Sequence, residues 1–234
     1  MNYLEYVLWA YFILNPVYIY LTYEKDKQKL LADPTKKVAL YYSTIIHLWL
    51  PTSLLLSLLY NKTFDWSDVG LVVHWDLMNQ IMTAALMMVI AYFYVSIKKL
   101  KNDRDLRQLF LKQMESLAYI MPTQPKELKI FTFGISVTAG ICEELLFRGY
   151  LLYLFESYMP IYLAVIVSSL LFGLGHIYQG IAKVLQTAFY GLVLAGVYWL
   201  TDSILLPILI HIATDVYAGL ASYNASESEK QSNV

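Results

Sequence analysis

Six ionisable side chains lie inside stretches of the sequence that are otherwise apolar. They are Glu143, Glu144, Arg148, His176, His211 and Asp215. A carboxylate or guanidinium near the centre of a bilayer costs about 2.5 to 3.5 kcal/mol, so the four charged groups cost on the order of 10 kcal/mol before compensation. We therefore expect the six to pair with one another and to serve a chemical purpose. A polar network that only locks helices together is the structural alternative.

Helix geometry predicts different roles for the two adjacent glutamates. Glu144 and Arg148 are four residues apart and share one helix face, whereas Glu143 points about 100° away from Glu144. We expect Glu144 to be ion-paired with Arg148 and Glu143 to be freer to face a cavity. A carboxylate that is desolvated in a cavity suits a general base that takes a proton from water.

The same four-residue spacing recurs twice further along the chain. Phe172 precedes His176 by four residues, which presents both side chains on one helical face. His211 and Asp215 have the same spacing. Because the three motifs lie in three separate apolar stretches, we expect three helices to converge on one polar site.

The composition excludes a soluble protein. Of the 234 residues, 58% are hydrophobic and 15% are charged, and the mean hydropathy is +0.49. A soluble domain is nearer half apolar and a quarter charged. The net charge of −1 shows no overall basicity, so the lipid bilayer is an expected partner and nucleic acid is not. The single cysteine, Cys142, excludes an internal disulfide.

The predicted fold class is all-α, a polytopic membrane helix bundle with about seven transmembrane helices. A spanning helix uses about 20 residues, and the seven apolar stretches are 3–23, 38–60, 77–97, 130–155, 159–175, 181–200 and 204–221. We divide the chain into N-terminal scaffold helices (1–97), a cytoplasmic amphipathic loop (98–128), a membrane domain that holds the six polar residues (129–221) and a polar tail (222–234). The tail is predicted to be disordered.

The distribution of lysine and arginine predicts the orientation in the membrane. The loop after the first span holds five lysines, the next loop holds only Lys62, and the stretch 98–129 holds eight lysines and arginines. By the positive-inside rule, the first and third loops are cytoplasmic and the N-terminus is outside. The compact chain without appended domains predicts an integral protein of a bacterial plasma membrane. The sequence leaves the oligomeric state open.

The three motifs, in this order and each within or at the end of an apolar helix, resemble the CAAX protease and bacteriocin-processing family, also called the Abi family. The resemblance covers about 127–220. It implies an intramembrane endopeptidase that hydrolyses a peptide bond of a membrane-associated or hydrophobic peptide or protein by glutamate-activated water. Bacteriocin processing or self-immunity is the biological context that the resemblance implies. The sequence shows no prenyl-cysteine pocket, so it does not predict whether the substrate is prenylated.

The resemblance also implies roles for the individual residues. Glu143 would activate the attacking water, with His176 as its partner, and Glu144 and Arg148 would hold that pair in place. His211 and Asp215 would polarise the scissile carbonyl and bind the oxyanion. Many members of the family have Asn where this chain has Asp215. An ionised Asp cannot donate a hydrogen bond, so Asp215 must be protonated there or must orient His211 instead.

The residue types also allow two other catalytic mechanisms, one that depends on a metal ion and one that uses a thiol. No cofactor is expected, but two histidines and several carboxylates could ligate zinc with one open position, although no His-x-x-x-His pair is present. Cys142 adjoins Glu143 and could act as a thiol nucleophile, but a buried cysteine in an apolar run is usually inert.

Two other functional classes also remain open. A non-proteolytic membrane immunity or scaffold protein would keep the same fold, and intact catalytic motifs favour the enzyme over it. A transporter could use buried Glu, His and Asp as a proton relay, but the sequence has no paired broken helices in corresponding halves. His47 and His74 match no motif and are interpreted as helix-packing or interfacial residues.

Overall fold

The computed structural model describes residues 3–232, and within that range it contains eight helices and no strand. The helices are α1 (Tyr3–Ala32), α2 (Lys37–Tyr60), α3 (Leu77–Asn102), α4 (Arg104–Gln113), α5 (Pro125–Glu156), α6 (Ile161–Leu174), α7 (Ile181–Thr201) and α8 (Leu205–Ser232). The predicted all-α membrane helix bundle is confirmed.

Six of these helices, within the described part of the chain, are long and apolar enough to cross a membrane: α1, α2, α3, α5, α7 and α8. The remaining apolar stretch, expected over 159–175, forms the shorter helix α6 of 14 residues. At about 1.5 Å per residue, α6 is about 21 Å long, less than the roughly 30 Å of a hydrocarbon core. Within the described residues, the bundle therefore has six long apolar helices and one shorter apolar helix, α6, whose C-terminal end leads directly into His176.

Helix α5 is the central element of the site and contains two π-helical turns, Phe131–Ile135 and Leu145–Leu151. Single π turns within α-helices occur often at functional sites. The second turn follows Glu143 and Glu144 directly and includes Arg148. The local backbone therefore departs from a regular α-helix next to the polar residues.

Two of the N-terminal helices, α1 and α2, pack directly against α5. The largest cluster of buried apolar side chains joins Leu8 of α1 and Leu55 and Leu58 of α2 to Leu146 and Tyr150 of α5, all fully buried. Burying such side chains is the main source of packing energy in a close-packed interior. Helices α1 and α2 therefore support the position of the helix that carries the two glutamates.

The prediction of a disordered tail is wrong for residues 222–232, which continue α8 as a helix. Ser222 and Ala225 are buried, and Glu229 accepts a hydrogen bond of 2.9 Å from Nε of Arg107 on α4. The Arg107 guanidinium is buried and also donates to the carbonyl of Leu100. Glu229 of the tail thus has a tertiary partner on α4, which the sequence pattern does not reveal. Residues 233 and 234 lie outside the described range.

Helices α6 and α7 approach closely at Gly173, and this contact gives a test of the packing. A Cβ added at Gly173 would lie 2.5 Å from the carbonyl oxygen of Val184 and 2.9 Å from Cβ of Ala188, whereas a Cβ at Gly196 of α7 would meet nothing within 4 Å. We expect Gly173→Ala to lower the free energy of unfolding by about 1 to 3 kcal/mol, as overpacking does. Gly196→Ala, the matched control, should change it little. Thermal unfolding in detergent measures both, and equal shifts would contradict the close approach.

Candidate active site

Helix α5 places a buried ion pair at the centre of the bundle. Oε1 of Glu144 lies 2.8 Å from Nη1 of Arg148, one helical turn further along, and the two side chains are 0% and 1% exposed. The guanidinium carbon of Arg148 also lies 4.2 Å from the centroid of the Phe172 ring, in cation–π geometry. The positive charge of Arg148 is thus held between a carboxylate and an aromatic face.

Glu144 also connects α5 to α8. The Nδ1 atom of His211 lies 2.7 Å from the same Oε1 atom of Glu144. An ionised carboxylate only accepts hydrogen bonds, so Nδ1 of His211 is the donor and carries a proton. This bond leaves Nε2 of His211 directed at the rest of the site. The sequence reasoning assigned Glu144 to the pair Glu143 and His176, and it did not foresee the bond to His211.

Glu143 faces the two histidines, as its different direction on the helix suggests. Its Oε2 atom lies 3.8 Å from Nε2 of His176 and 4.0 Å from Nε2 of His211. Within residues 3–232, this buried oxygen forms no hydrogen bond, and the side chain is 13% exposed. One oxygen of Glu143 is therefore free to bind a small polar molecule between the carboxylate and the two imidazoles.

His176 lies just beyond the end of α6 rather than within a helix. Its Nδ1 atom is 2.9 Å from the carbonyl oxygen of Phe172. A carbonyl oxygen only accepts, so Nδ1 donates, and Nε2 on the other side of the ring faces Glu143. The rings of Phe172 and His176 are 4.8 Å apart, so the four-residue spacing brings them together although the helix ends between them. Gly180, with φ +101°, lets the chain turn from this segment into α7.

Asp215, on α8, is the last of the six ionisable residues of the site. Its Oδ2 atom lies 3.8 Å from Nε2 of His211, one turn earlier, and its side chain is 31% exposed. Nε2 of His211 is therefore near both Asp215 and Glu143. The structure brings all six residues singled out in the sequence into one site, from α5, α8 and the end of α6.

Two residues of α7 line the site and were missed by the sequence reasoning. The Tyr190 ring packs edge-on against His211 with centroids 5.9 Å apart, and its hydroxyl donates a 3.1 Å hydrogen bond to Thr214. A Cβ at Gly191 would lie 3.0 Å from Nη2 of Arg148. Neither residue belongs to one of the three spacing motifs, and their contacts with His211 and Arg148 arise from the packing of α7.

Cys142, His47 and His74, the other candidates from the sequence, contact residues outside the set of six. Cys142 is fully buried among apolar side chains that include Leu48 and Ala139. Nε2 of His47 is hydrogen-bonded to Asn15 at 2.8 Å. His74 lies 3.7 Å from the exposed Asp202. Across residues 3–232, no group of three His, Cys, Asp or Glu side chains is arranged to hold a metal ion.

Fold and site together define a polytopic integral membrane protein with a buried carboxylate–histidine centre. Residues 125–217 match the model of a family described as type II CAAX prenyl endopeptidase, Rce1-like. The match covers about two fifths of the chain and contains all six site residues. It confirms the resemblance to the CAAX protease and bacteriocin-processing family and supports a CAAX-protease-like endopeptidase. No curated protein matches the chain, and no solved structure does either.

Proposed function

We propose that this protein is an intramembrane endopeptidase that hydrolyses a peptide bond of a membrane-associated or hydrophobic peptide or protein. The observation that carries the proposal is one buried carboxylate oxygen, Oε2 of Glu143, within 4.0 Å of Nε2 of both His176 and His211. Peptide hydrolysis needs a base, a water and an electrophilic stabiliser within hydrogen-bond reach of one another. Burial in an apolar bundle strengthens each of these interactions.

Glu143 is the general base in this proposal. A water about 2.8 Å from Oε2 of Glu143 and from Nε2 of His176 fits the separation of 3.8 Å between these atoms. Glu143 takes one proton from that water, and the oxygen of the water attacks the carbonyl carbon of the substrate. The proton then passes to the leaving amine as the peptide bond breaks.

His211 and Asp215 face the developing oxyanion. The bond from His211 to Glu144 fixes the ring and keeps Nε2 turned towards the site. An ionised Asp215 keeps His211 in its charged form, in which Nε2 also donates a hydrogen bond. A protonated Asp215 donates to the oxyanion itself. Both roles stabilise the transition state from the side of α8.

The biological setting of the proposal is a bacterial plasma membrane, with the N-terminus outside and with bacteriocin processing or self-immunity as the role. Loops rich in lysine on one side of the predicted spans support the orientation. Metal dependence is part of the test, since two histidines and the carboxylates are potential ligands.

His176→Ala and His47→Ala are the variants that test this proposal. His176 is 3.8 Å from Glu143, whereas His47 bonds Asn15, so only the first is expected to lower cleavage, by about 100-fold or more. The purified protein is assayed in detergent with hydrophobic fluorogenic peptides and bacteriocin precursors, with and without 1,10-phenanthroline. Equal cleavage by His176→Ala and the wild type would refute the mechanism. If the chelator abolishes cleavage reversibly, the activity depends on a metal ion instead.

A measurement in cells distinguishes the proposed endopeptidase from a non-proteolytic immunity protein. If His176→Ala, without cleavage activity, still protects cells from a bacteriocin as the wild type does, protection acts through binding. If protection is lost together with cleavage, proteolysis underlies it. His47→Ala serves again as the control for expression and membrane insertion.

A further inference from the structure

An open groove lies between α2 and α5, on the outer surface and away from the candidate active site. We name it the α2–α5 groove, and its volume is about 450 Å³. The residues that line it include Tyr42, Ile45, Lys126, Lys129, Phe133 and Gly134. It therefore combines two positive charges with aromatic and aliphatic surface.

The two lysines of the groove form no ion pair with any residue that the structure describes. In the described part of the chain, the only glutamate beside them on α5, Glu127, is buried and forms an ion pair of 3.3 Å with Lys37 of α2. Glu127 also accepts a hydrogen bond from the backbone of Thr123. Lys126 and Lys129 are exposed and form no ion pair with any residue from 3 to 232. Their charge is available to a ligand.

The polar and apolar parts of the groove follow one another along the helix axis. Lys126 and Lys129 occupy the first turns of α5, and Phe133 lies one turn deeper than Lys129, about 6 Å further along. Phe133 is 73% exposed, which leaves most of its ring uncovered by the protein. Gly134 gives the groove a floor without a side chain, where a Cβ would meet Cδ1 of Ile45 at 3.0 Å.

We propose that the α2–α5 groove binds an anionic phospholipid. Lys126 and Lys129 hold the phosphate, at the membrane boundary where α5 begins. Phe133 and Ile45 contact the upper part of an acyl chain. A phospholipid also has its charged group at the interface and its apolar chains deeper in the membrane. Basic pockets between membrane helices bind such head groups.

The two ends of α2 and α5 that frame the groove are tied together by the Lys37–Glu127 pair. Glu143 lies 14 residues beyond Lys129 on the same helix, about 21 Å deeper. A lipid that fills the groove therefore stabilises the packing of the helix that carries the two glutamates. Ligand binding to the folded state raises the unfolding temperature.

The experiment compares two double variants that remove equal charge. Lys126→Gln with Lys129→Gln removes the groove charges, and Lys101→Gln with Lys112→Gln removes two exposed lysines of the preceding stretch that do not line the groove. Binding of phosphatidylglycerol and of phosphatidylcholine to the full chain is measured by native mass spectrometry, and thermal unfolding is followed in parallel. The groove variant is expected to bind phosphatidylglycerol about 30-fold more weakly, about fivefold per lysine, while the control binds like the wild type.

A third variant, Gly134→Leu, keeps both lysines and fills the floor of the groove. It is expected to weaken phosphatidylglycerol binding while it elutes as a single species in size-exclusion chromatography. Wild-type binding by the groove variant would overturn the proposal. An equal loss in the Lys101 and Lys112 control would also overturn it, because diffuse attraction to basic loops would then explain binding. Competition by inorganic phosphate as strong as by the lipid would show a site for soluble anions instead.

Discussion

Glu143→Gln is expected to lower the rate of peptide-bond cleavage by about 100- to 10,000-fold and to leave the fold intact. That range is the usual contribution of a general base. Glutamine has nearly the size of glutamate but cannot take a proton from water. Within residues 3–232, Oε2 of Glu143 accepts no hydrogen bond, so the substitution breaks no contact of that oxygen.

The matched control for Glu143→Gln is Glu156→Gln. Glu156 is the last residue of the same helix, α5, and is exposed. Cleavage of one hydrophobic peptide is measured for both variants at equal protein concentration, with thermal unfolding as the check on folding. If Glu143→Gln cleaves at the rate of the wild type, Glu143 is not the base. If both variants lose activity equally, the loss reflects charge on α5 rather than the site.

Arg148→Met alone is expected to cost about 3 to 5 kcal/mol of folding free energy, because it leaves the buried Glu144 carboxylate without its guanidinium partner. Glu144→Leu alone should cost a similar amount, since Arg148 is 1% exposed and would be left without its carboxylate partner. The double variant Glu144→Leu with Arg148→Met replaces the pair by apolar side chains of similar volume. Such replacements are often neutral or stabilising, so most of the stability should return.

Activity should not return in the double variant. His211 loses the acceptor of its Nδ1 proton, at present 2.7 Å away, and its ring is no longer fixed. A displacement of about 1 Å of a catalytic group costs about 100-fold in rate. Thermal unfolding and peptide cleavage are measured on the same preparations of the wild type, both single variants and the double variant. Recovery of stability and activity together would show that the pair only supports the fold.

The sequence determined the parts of this protein that depend on composition and on local spacing. The apolar content predicts a membrane helix bundle, and all six site residues stand out because charge is rare in apolar helices. The Glu144–Arg148 pair follows from helix geometry alone, since residues four apart lie on one face. The same geometry separates Glu143 from the pair.

Local spacing failed where a polar segment or a helix end depends on distant partners. Residues 222–232 are polar and were predicted to be disordered, yet they extend α8 because Glu229 pairs with Arg107 of α4. The apolar stretch 159–175 does form a helix, Ile161–Leu174, but its 14 residues make it shorter than the six helices that are long enough to cross a membrane. Hydropathy measures the solvent that a segment prefers, and it does not measure how far the helix runs.

Only the tertiary structure decided which groups meet. Glu144 and His211 are 67 positions apart in the chain, and no periodicity connects them. The packing of α7 likewise decides two other contacts. Gly191 leaves space for the guanidinium of Arg148, and the Tyr190 ring packs edge-on against His211. Helical spacing fixes directions within one helix, whereas distances between helices depend on how all the side chains fill the space between them.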